Sequence, residues 1–163
     1  MDARRESEPT PMKNRTTVER TSDRELLVTR TVNGPARLVF EAWTKPELLK
    51  RWWAPKSFGV SFLSCEADVR VGGTYRFVFG HDGKTMEFFG KYIEVTPHSR
   101  LVWTNDEGGD GGPVTTVTFE EKDGATQVVV HELYPSKEAL DRNSGMEQGL
   151  DEAFAQLDGL LGL

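Results

Sequence analysis

The sequence has a single cysteine, few histidines and no long apolar run. Cys65 is the one cysteine among 163 residues, which excludes an internal disulfide and any metal site built from several cysteines. No apolar stretch approaches the roughly 20 residues that cross a membrane, and no apolar leader follows the N-terminus. We therefore expect a cytoplasmic protein without membrane insertion. Cys65 lies in a strand-like stretch and is interpreted as a buried, unreactive thiol.

The sequence also has no excess of basic over acidic residues. The 20 Lys and Arg residues against 26 Asp and Glu residues give a formal net charge of −6. This charge argues against nucleic acid as a partner, because affinity for phosphates depends on clustered Lys and Arg. From Ser136 onward the acidic residues are Glu138, Asp141, Glu147, Asp151, Glu152 and Asp158. They indicate either a solvated helix face or a surface that docks a basic partner.

Length and composition are typical of one soluble globular domain, with 37% hydrophobic and 28% charged residues. The segment from Met1 to about Ser22 mixes both charge signs with Ser, Thr and Pro and offers almost nothing to bury. We therefore predict a disordered N-terminal tail over residues 1–23 and a single domain over residues 24–163.

Two short helices are predicted directly after the first strand. Asn33-Gly34-Pro35 ends that strand, and Pro35 suits the first turn of a helix. Thr44 and Glu47 have the spacing of a capping box, which predicts the start of a second helix that ends before Pro55.

From Val60 the hydrophobic period changes to two, which predicts strands. Tyr75, Phe77 and Phe79 alternate with polar or smaller residues, so Arg76 is expected to face solvent. Gly72-Gly73 predicts a bulge or tight bend. Asp82-Gly83 and Asp123-Gly124 predict hairpin turns. The strands inferred in this way form a mostly meandering antiparallel sheet: 25–33, 60–69, 73–80, 85–95, 100–105, 114–121 and 125–132.

The last segment is predicted to be helical. Ser136 is a candidate cap for a short turn, and Ser144 with Glu147 forms a second capping-box pattern. One apolar stripe follows at helical spacing, made of Met146, Leu150, Ala153, Phe154, Leu157 and Leu160.

Candidate catalytic groups are few. His81 and His98 fall in turns and are expected to be exposed, whereas His131 ends the last strand. His131 is interpreted as a general base at a cavity mouth or, alternatively, as a solvated strand-end histidine. Arg70 is the other candidate, and the carboxylates of Glu66 and Asp68 are expected to pair with a neighbouring arginine.

Several local patterns together resemble one known group of proteins. They are Pro35 to Trp43, Pro46-Glu47-Leu48 through Trp52-Trp53 and Pro55, Asp68 to Gly73 with Tyr75-Arg76-Phe77, Asp82-Gly83, Gly90 to Val95, Arg100-Leu101-Val102 and Gly149. They resemble the bacterial branch of the START-like (SRPBCC) superfamily, proteins similar to the C-terminal domain of the activator of heat-shock protein 90 ATPase. The resemblance covers roughly residues 24–161.

The resemblance implies an α+β helix-grip fold. In it, a curved seven-stranded antiparallel sheet wraps around a long C-terminal helix, two short helices lie between strands 1 and 2, and a deep apolar cavity lies between sheet and helix. Leu150 departs from the family, which usually has Trp after the glycine of the last helix, so the ligand is not transferable from a relative.

The candidate ligand-binding residues are mostly aromatic, and the alternative is that they only fill the core. They are Trp53, Phe58, Tyr75, Phe77, Phe79, Phe88, Tyr92, Trp103, Met146, Leu150 and Phe154. No cofactor and no metal are expected, and the chain is predicted to be a monomer or weak homodimer.

Three functions remain open at this point. The first is binding of a small hydrophobic molecule by a carrier, sensor or sequestering protein. The second is a chaperone cofactor that works through the acidic C-terminal helix. The third is a cyclase- or dehydratase-like enzyme that uses His131 or Arg70 with Tyr75 or Tyr92.

Overall fold

The computed structural model describes residues 16–54, 56–106, 112–142 and 146–161, and for residues 146–149 it describes the backbone alone. The helices in these ranges are α1 (Ala36–Thr44), α2 (Pro46–Trp52), α3 (Lys137–Arg142) and α4 (Met146–Leu160), with a 3-10 turn at Lys56–Phe58. None of the described helices combines the length and the apolar character needed to cross a membrane.

One antiparallel sheet forms the frame of the described chain. Its strands are β1 (Thr17–Ser22), β2 (Glu25–Val32), β3 (Ser61–Ala67), β4 (Thr74–His81), β5 (Lys84–Thr96), β6 (Arg100–Thr104), β7 (Val114–Lys122) and β8 (Ala125–Leu133). Their order is β1-β2-β8-β7-β6-β5-β4-β3. The α+β helix-grip prediction is confirmed, with eight strands where seven were predicted.

The additional strand lies in the predicted tail. Residues 17–22 form β1, which pairs with β2 from Thr17 opposite Thr29 to Ser22 opposite Glu25. All six residues of β1 are exposed, so no alternation of apolar and polar residues marks the strand in the sequence. The edge of β2 supplies its hydrogen bonds instead. The expectation of disorder was therefore wrong for residues 17–22, and residues 1–15 lie outside the described chain.

The predicted turns are present. Asp82 and Gly83 have φ of 53° and 77°, and Asp123 and Gly124 have φ of 56° and 81°. Two successive positive φ values match the twist of a two-residue hairpin. At the predicted bend Gly73 is required for space, because a Cβ there would lie 1.9 Å from the Asp68 carbonyl oxygen.

The predicted capping box between α1 and α2 does not form. Thr44 is the last residue of α1, and its hydroxyl donates to the Phe40 carbonyl at 2.9 Å. The cause is Pro46, which restricts Lys45 to an extended conformation (φ −93°, ψ 120°) and so makes Lys45 the N-cap of α2. Glu47 therefore has no capping partner in Thr44.

Helix α4 packs the described part of its predicted apolar stripe onto the same face of the sheet as α1 and α2. Ala153, Phe154 and Leu157 are buried. Arg30 on β2, itself buried, forms an ion pair with Asp158 of α4. Ser136 caps α3 as predicted, accepting the Ala139 N–H at 3.1 Å. The second capping box falls on residues 144–147, which lie outside the described residues or side chains.

Candidate functional site

A cavity of about 370 Å³ lies between the sheet and the helices on its covered face. This volume is within the range of small-molecule sites. The lining side chains come from α1, α2, the segment that follows α2, strands β4 to β8 and α4. They are Trp43, Leu49, Trp53, Ala54, Phe58, Val60, Tyr75, Phe77, Phe79, Met86, Phe88, Tyr92, Trp103, Asn105, Pro113, Thr115, Val130, Glu132, Tyr134 and Leu150.

Most of the residues proposed from the sequence line this cavity. They are Trp53, Phe58, Tyr75, Phe77, Phe79, Phe88, Tyr92, Trp103 and Leu150. Phe154 does not, because it is fully buried in the core, with its ring 6.3 Å from both Trp43 and Trp52. The side chain of Met146 lies outside the described residues.

Aromatic rings in mutual contact form the inner wall. Tyr75 packs against Phe77 and Tyr92 with ring centroids 5.1 and 5.7 Å apart, and Tyr92 lies 6.3 Å from Trp103. The alternation along β4 places Tyr75 and Phe77 on this face, since successive side chains of a strand point to opposite sides. These edge and tilted contacts are the arrangements that aromatic pairs prefer, and they form a largely apolar wall.

The cavity opens between the β4–β5 hairpin and the 3-10 turn. Phe58, Met86 and Phe88 line it and yet are 49%, 41% and 37% exposed. Across this opening, Nδ1 of His81 lies 3.3 Å from the Gly59 carbonyl oxygen. Three large apolar side chains that face both solvent and cavity form a mouth.

The end of the cavity formed by β6, β7 and β8 is polar. Asn105 Nδ2 donates to Thr115 Oγ1 at 3.0 Å, and Thr115 Oγ1 donates to Glu132 Oε1 at 2.8 Å. Tyr75 Oη lies 3.2 Å from Asn105 Oδ1 and 2.7 Å from the Thr104 carbonyl oxygen. Sequence reasoning missed Asn105, Thr115 and Glu132 as site residues. The available signal was the alternation along β8, which buries Val128 and Val130 and so directs Glu132 inward.

The candidate catalytic residues His131 and Arg70 do not line the cavity that contains Tyr75 and Tyr92. His131 lies on the other face of β8, with Nε2 3.0 Å from Glu25 Oε1, and this contact lowers the pKa of Glu25. Arg70 is exposed and pairs with Asp68 at 2.9 Å. The proposed combination of His131 or Arg70 with Tyr75 or Tyr92 was therefore wrong, because neither residue lines the cavity.

The remaining charged candidates lie where the sequence predicted. Arg76 faces away from the cavity and pairs with Glu87 on the outer face of the sheet. His81 and His98 are exposed. The pairing expected for Asp68 is confirmed by its contact with Arg70.

Burial keeps two other titratable groups protonated. Desolvation raises the pKa of the Tyr92 hydroxyl, which further favours the neutral form that an ordinary tyrosine already has near neutral pH. Desolvation also raises the pKa of Cys65 to about 11. Cys65 is half-buried where the sequence predicted a buried thiol, and because the thiolate is the reactive form, the raised pKa disfavours reaction there.

Polar side chains of α4 form hydrogen bonds with the described residues between α2 and β3, which we call the mouth segment (residues 53–54 and 56–60). Glu152 accepts the backbone N–H of Ser57 at 2.9 Å and also its hydroxyl. Gln156 accepts the Lys56 N–H at 2.9 Å and donates to the carbonyls of Trp52 and Ala54. The mouth segment is therefore positioned by α4 through hydrogen bonds to its backbone.

The part of the chain that the structure describes contains no group of three or more His, Cys, Asp or Glu residues arranged to hold a metal ion.

A family model matches most of the sequence. The model described as "Activator of Hsp90 ATPase homolog 1-like protein" matches residues 33–162. Comparison with curated proteins gave no significant match.

Solved structures share the architecture along almost their whole lengths. A protein from Rhodobacter sphaeroides is 24% identical with a TM-score of 0.83, and the match covers 90% of this chain and 97% of that one. A protein from Nitrosomonas europaea is 25% identical with a TM-score of 0.77, covering 87% and 96%. A protein from Mycobacterium smegmatis is 25% identical with a TM-score of 0.77, covering 90% and 98%.

Proposed function

We propose that this chain, which belongs to the family of Activator of Hsp90 ATPase homolog 1-like proteins, binds a small hydrophobic molecule in the cavity between the sheet and α4. It would act as a carrier, sensor or sequestering protein. A cytoplasmic location and a monomeric or weakly dimeric state remain predictions.

The observation that carries this proposal is the open, aromatic cavity. An interior of about 370 Å³ lined by Tyr75, Phe77, Tyr92 and Trp103 has the size and apolar character typical of ligand sites. A protein without a ligand would gain stability by filling such a space, since voids forfeit dispersion contacts. The mouth at Phe58 and Phe88 offers an entry route.

Filling the cavity tests the proposal. Leu150 lines it from α4, and Leu150→Trp adds an aromatic side chain into the space. We expect this variant to bind the neutral fluorescent probe N-phenyl-1-naphthylamine at least about tenfold more weakly, which corresponds to about 1.4 kcal/mol. Fluorescence titration measures the affinity.

The matched control is Ala155→Trp, which adds the same side chain to an exposed position of the same helix. It should bind the probe like the parent protein. Equal affinity of Leu150→Trp and the parent would show that the cavity is not the site.

The native mass of the purified protein, compared with its denatured mass, then searches for the natural ligand. We expect an added mass that disappears on denaturation. A smaller fraction of the Leu150→Trp protein should carry this added mass. An added mass of equal size and occupancy in both preparations would place the ligand elsewhere on the protein.

Contact with a chaperone is the second candidate, favoured by the description of the family. The acidic C-terminal region is less available for it than the sequence suggests. Asp141 pairs with Lys137 and Arg20, Glu152 binds the mouth segment, and Asp158 pairs with Arg30. A low-salt pull-down that recovers no chaperone would count against this candidate, because electrostatic contacts are strongest at low salt.

A further inference from the structure

The hydroxyl of Tyr92 has no hydrogen-bond partner among the described residues. Tyr92 lines the cavity from β5 and is only 3% exposed. Its backbone is fully engaged, since the Gly72 N–H donates to its carbonyl at 2.8 Å and its own N–H donates to the Gly73 carbonyl at 2.9 Å. Its ring contacts Tyr75 and Trp103. None of these contacts involves the hydroxyl oxygen, Oη.

The Tyr92 hydroxyl reaches open space inside the protein. Among the described residues, the side-chain polar atoms that are both fully enclosed and without a partner are Trp43 Nε1 and Asp158 Oδ1. Tyr92 Oη also lacks a partner but is not one of these enclosed atoms, so it retains accessible surface. Because Tyr92 is almost completely withdrawn from the outer surface, the space that its hydroxyl reaches is the cavity.

Two other polar side chains of the lining use their donors within the protein. Tyr75 Oη donates to the Thr104 carbonyl at 2.7 Å. Asn105 Nδ2 donates to the Pro113 carbonyl at 2.9 Å. Tyr92 differs from both, because its hydroxyl proton is available to a molecule in the cavity.

The surrounding structure fixes the position of this hydroxyl. The ring of Tyr92 is flanked by Tyr75 and Trp103, with centroids 5.7 and 6.3 Å away. The register of β5 against β6 shifts between Tyr92 and Glu94, and such bulges re-aim side chains. A donor that packed rings already hold in place loses little conformational freedom when a ligand binds.

The chemistry of this position favours an uncharged acceptor. An ordinary tyrosine is protonated near neutral pH, and burial raises the pKa of Tyr92 further, so its hydroxyl is a donor. Among the described residues that line the cavity there is no Lys, Arg or His to neutralise an anion. Burying an unpaired charge costs far more free energy than burying a neutral oxygen that accepts a hydrogen bond.

We propose that the Tyr92 hydroxyl donates a hydrogen bond to the ligand, and that the ligand is an apolar molecule with an uncharged acceptor oxygen, such as a ketone, an ester or an ether. This inference rests on the proposed function and specifies the ligand class of the same cavity. Tyr92 binds the oxygen, and the aromatic side chains around it contact the hydrocarbon part.

Two probes of nearly identical shape test the inference. They are 2-acetylnaphthalene, which has a carbonyl oxygen, and 2-isopropenylnaphthalene, in which a methylene group replaces that oxygen. Displacement of N-phenyl-1-naphthylamine measures their affinities for the parent protein and for Tyr92→Phe. We expect Tyr92→Phe to bind the ketone about fivefold more weakly, which is the value of one net hydrogen bond.

The alkene is the internal control, because it has the same shape and has no oxygen to accept a hydrogen bond. Tyr92→Phe should bind it as tightly as the parent protein does. An equal change in the affinities for both probes, or no change in either, would overturn the inference.

The stability of the variant distinguishes a binding role from a structural one. Tyr92→Phe removes a hydroxyl that has no partner in the described chain, so no protein group loses a hydrogen bond. We therefore expect the variant without ligand to unfold in urea at or above the midpoint of the parent protein. A lower midpoint would show that the protein itself engages the hydroxyl and would overturn the inference.

N-phenyl-1-naphthylamine separates the two levels of the proposal. If it binds while the ketone gains nothing from Tyr92, the hydrogen bond is overturned and the apolar cavity stands. If it does not bind, the proposed function and this inference both fail.

Discussion

At the scale of single residues, Trp43 and Trp52 differ in one hydrogen bond. Both are buried, with rings 5.0 Å apart. Trp52 Nε1 donates to the Ala42 carbonyl at 2.9 Å. That carbonyl lies near the end of α1, and Pro46, four residues further on, has no N–H to donate to it. Trp43 Nε1 has no hydrogen-bond partner among the described residues.

We therefore expect Trp52→Phe to cost more stability than Trp43→Phe, by about 1–2 kcal/mol. The two substitutions remove similar apolar surface, but Trp52→Phe leaves the buried Ala42 carbonyl without its donor. In contrast, Trp43→Phe removes a donor that has no acceptor. Urea unfolding of both variants measures the difference. Equal losses in the two variants would contradict the role given to the Trp52 indole.

At the same scale, the aromatic alternation of β4 and β5 was enough to predict most of the cavity wall. Phe154 was assigned wrongly because a helical stripe does not show which of its members meet a cavity and which meet other helices. Glu132 was missed because a single acidic residue near a strand end looks like a solvated one. Its place at the polar end of the cavity is shared with Thr115 and Asn105, which are distant in sequence.

At the scale of elements, α4 holds the mouth segment through Glu152 and Gln156. The hydrogen bonds from Ser57 lower the pKa of Glu152 below its ordinary value of 4.5. A carboxylate whose pKa is lower in the folded state than in the unfolded state stabilises the protein fully at pH values above the unfolded-state pKa of about 4.5. The stabilisation is lost as the pH falls through the folded-state pKa.

We predict that Glu152→Gln lowers the melting temperature at neutral pH and that this difference shrinks as the pH is lowered below about 4.5. The reason is that protonation removes the same ionised acceptor in the parent protein. Differential scanning calorimetry at a series of pH values measures the effect. The control is Glu138→Gln, which makes the same substitution at an exposed position of α3. A difference that stays constant down to acidic pH would contradict the role of the ionised Glu152.

Two elements show why local patterns were insufficient. Strand β1 has no buried face, and it forms because β2 presents an unpaired edge. The start of α2 was predicted from Thr44 and Glu47, yet Pro46 controls the backbone there, with Lys45 as the N-cap. In both places a neighbouring strand or residue determined the structure.

At the scale of the whole molecule, the cavity links stability to ligand binding. A compound that binds only the folded state stabilises it by RT ln(1 + [L]/Kd), about 2.7 kcal/mol at 100 times the Kd. We therefore predict that N-phenyl-1-naphthylamine raises the melting temperature of the parent protein in proportion to the logarithm of its concentration.

Leu150→Trp should show a much smaller shift at the same concentrations, because its added ring occupies the site. Thermal unfolding followed by circular dichroism measures both proteins without relying on probe fluorescence. Equal shifts in the two proteins would place the stabilising interaction outside the cavity.

Local sequence patterns were sufficient to predict strands β2 to β8, the two short helices, the C-terminal helix, the hairpin turns and the family. These properties depend on local periodicity, on the backbone preferences of glycine and proline, and on contiguous motifs. The folded structure was needed to show that residues 17–22 join the sheet and that His131 faces away from the cavity. It also brought Asn105, Thr115 and Glu132 into one hydrogen-bonded group. Those outcomes depend on strand register and on contacts between residues far apart in the chain, and local periodicity does not encode them.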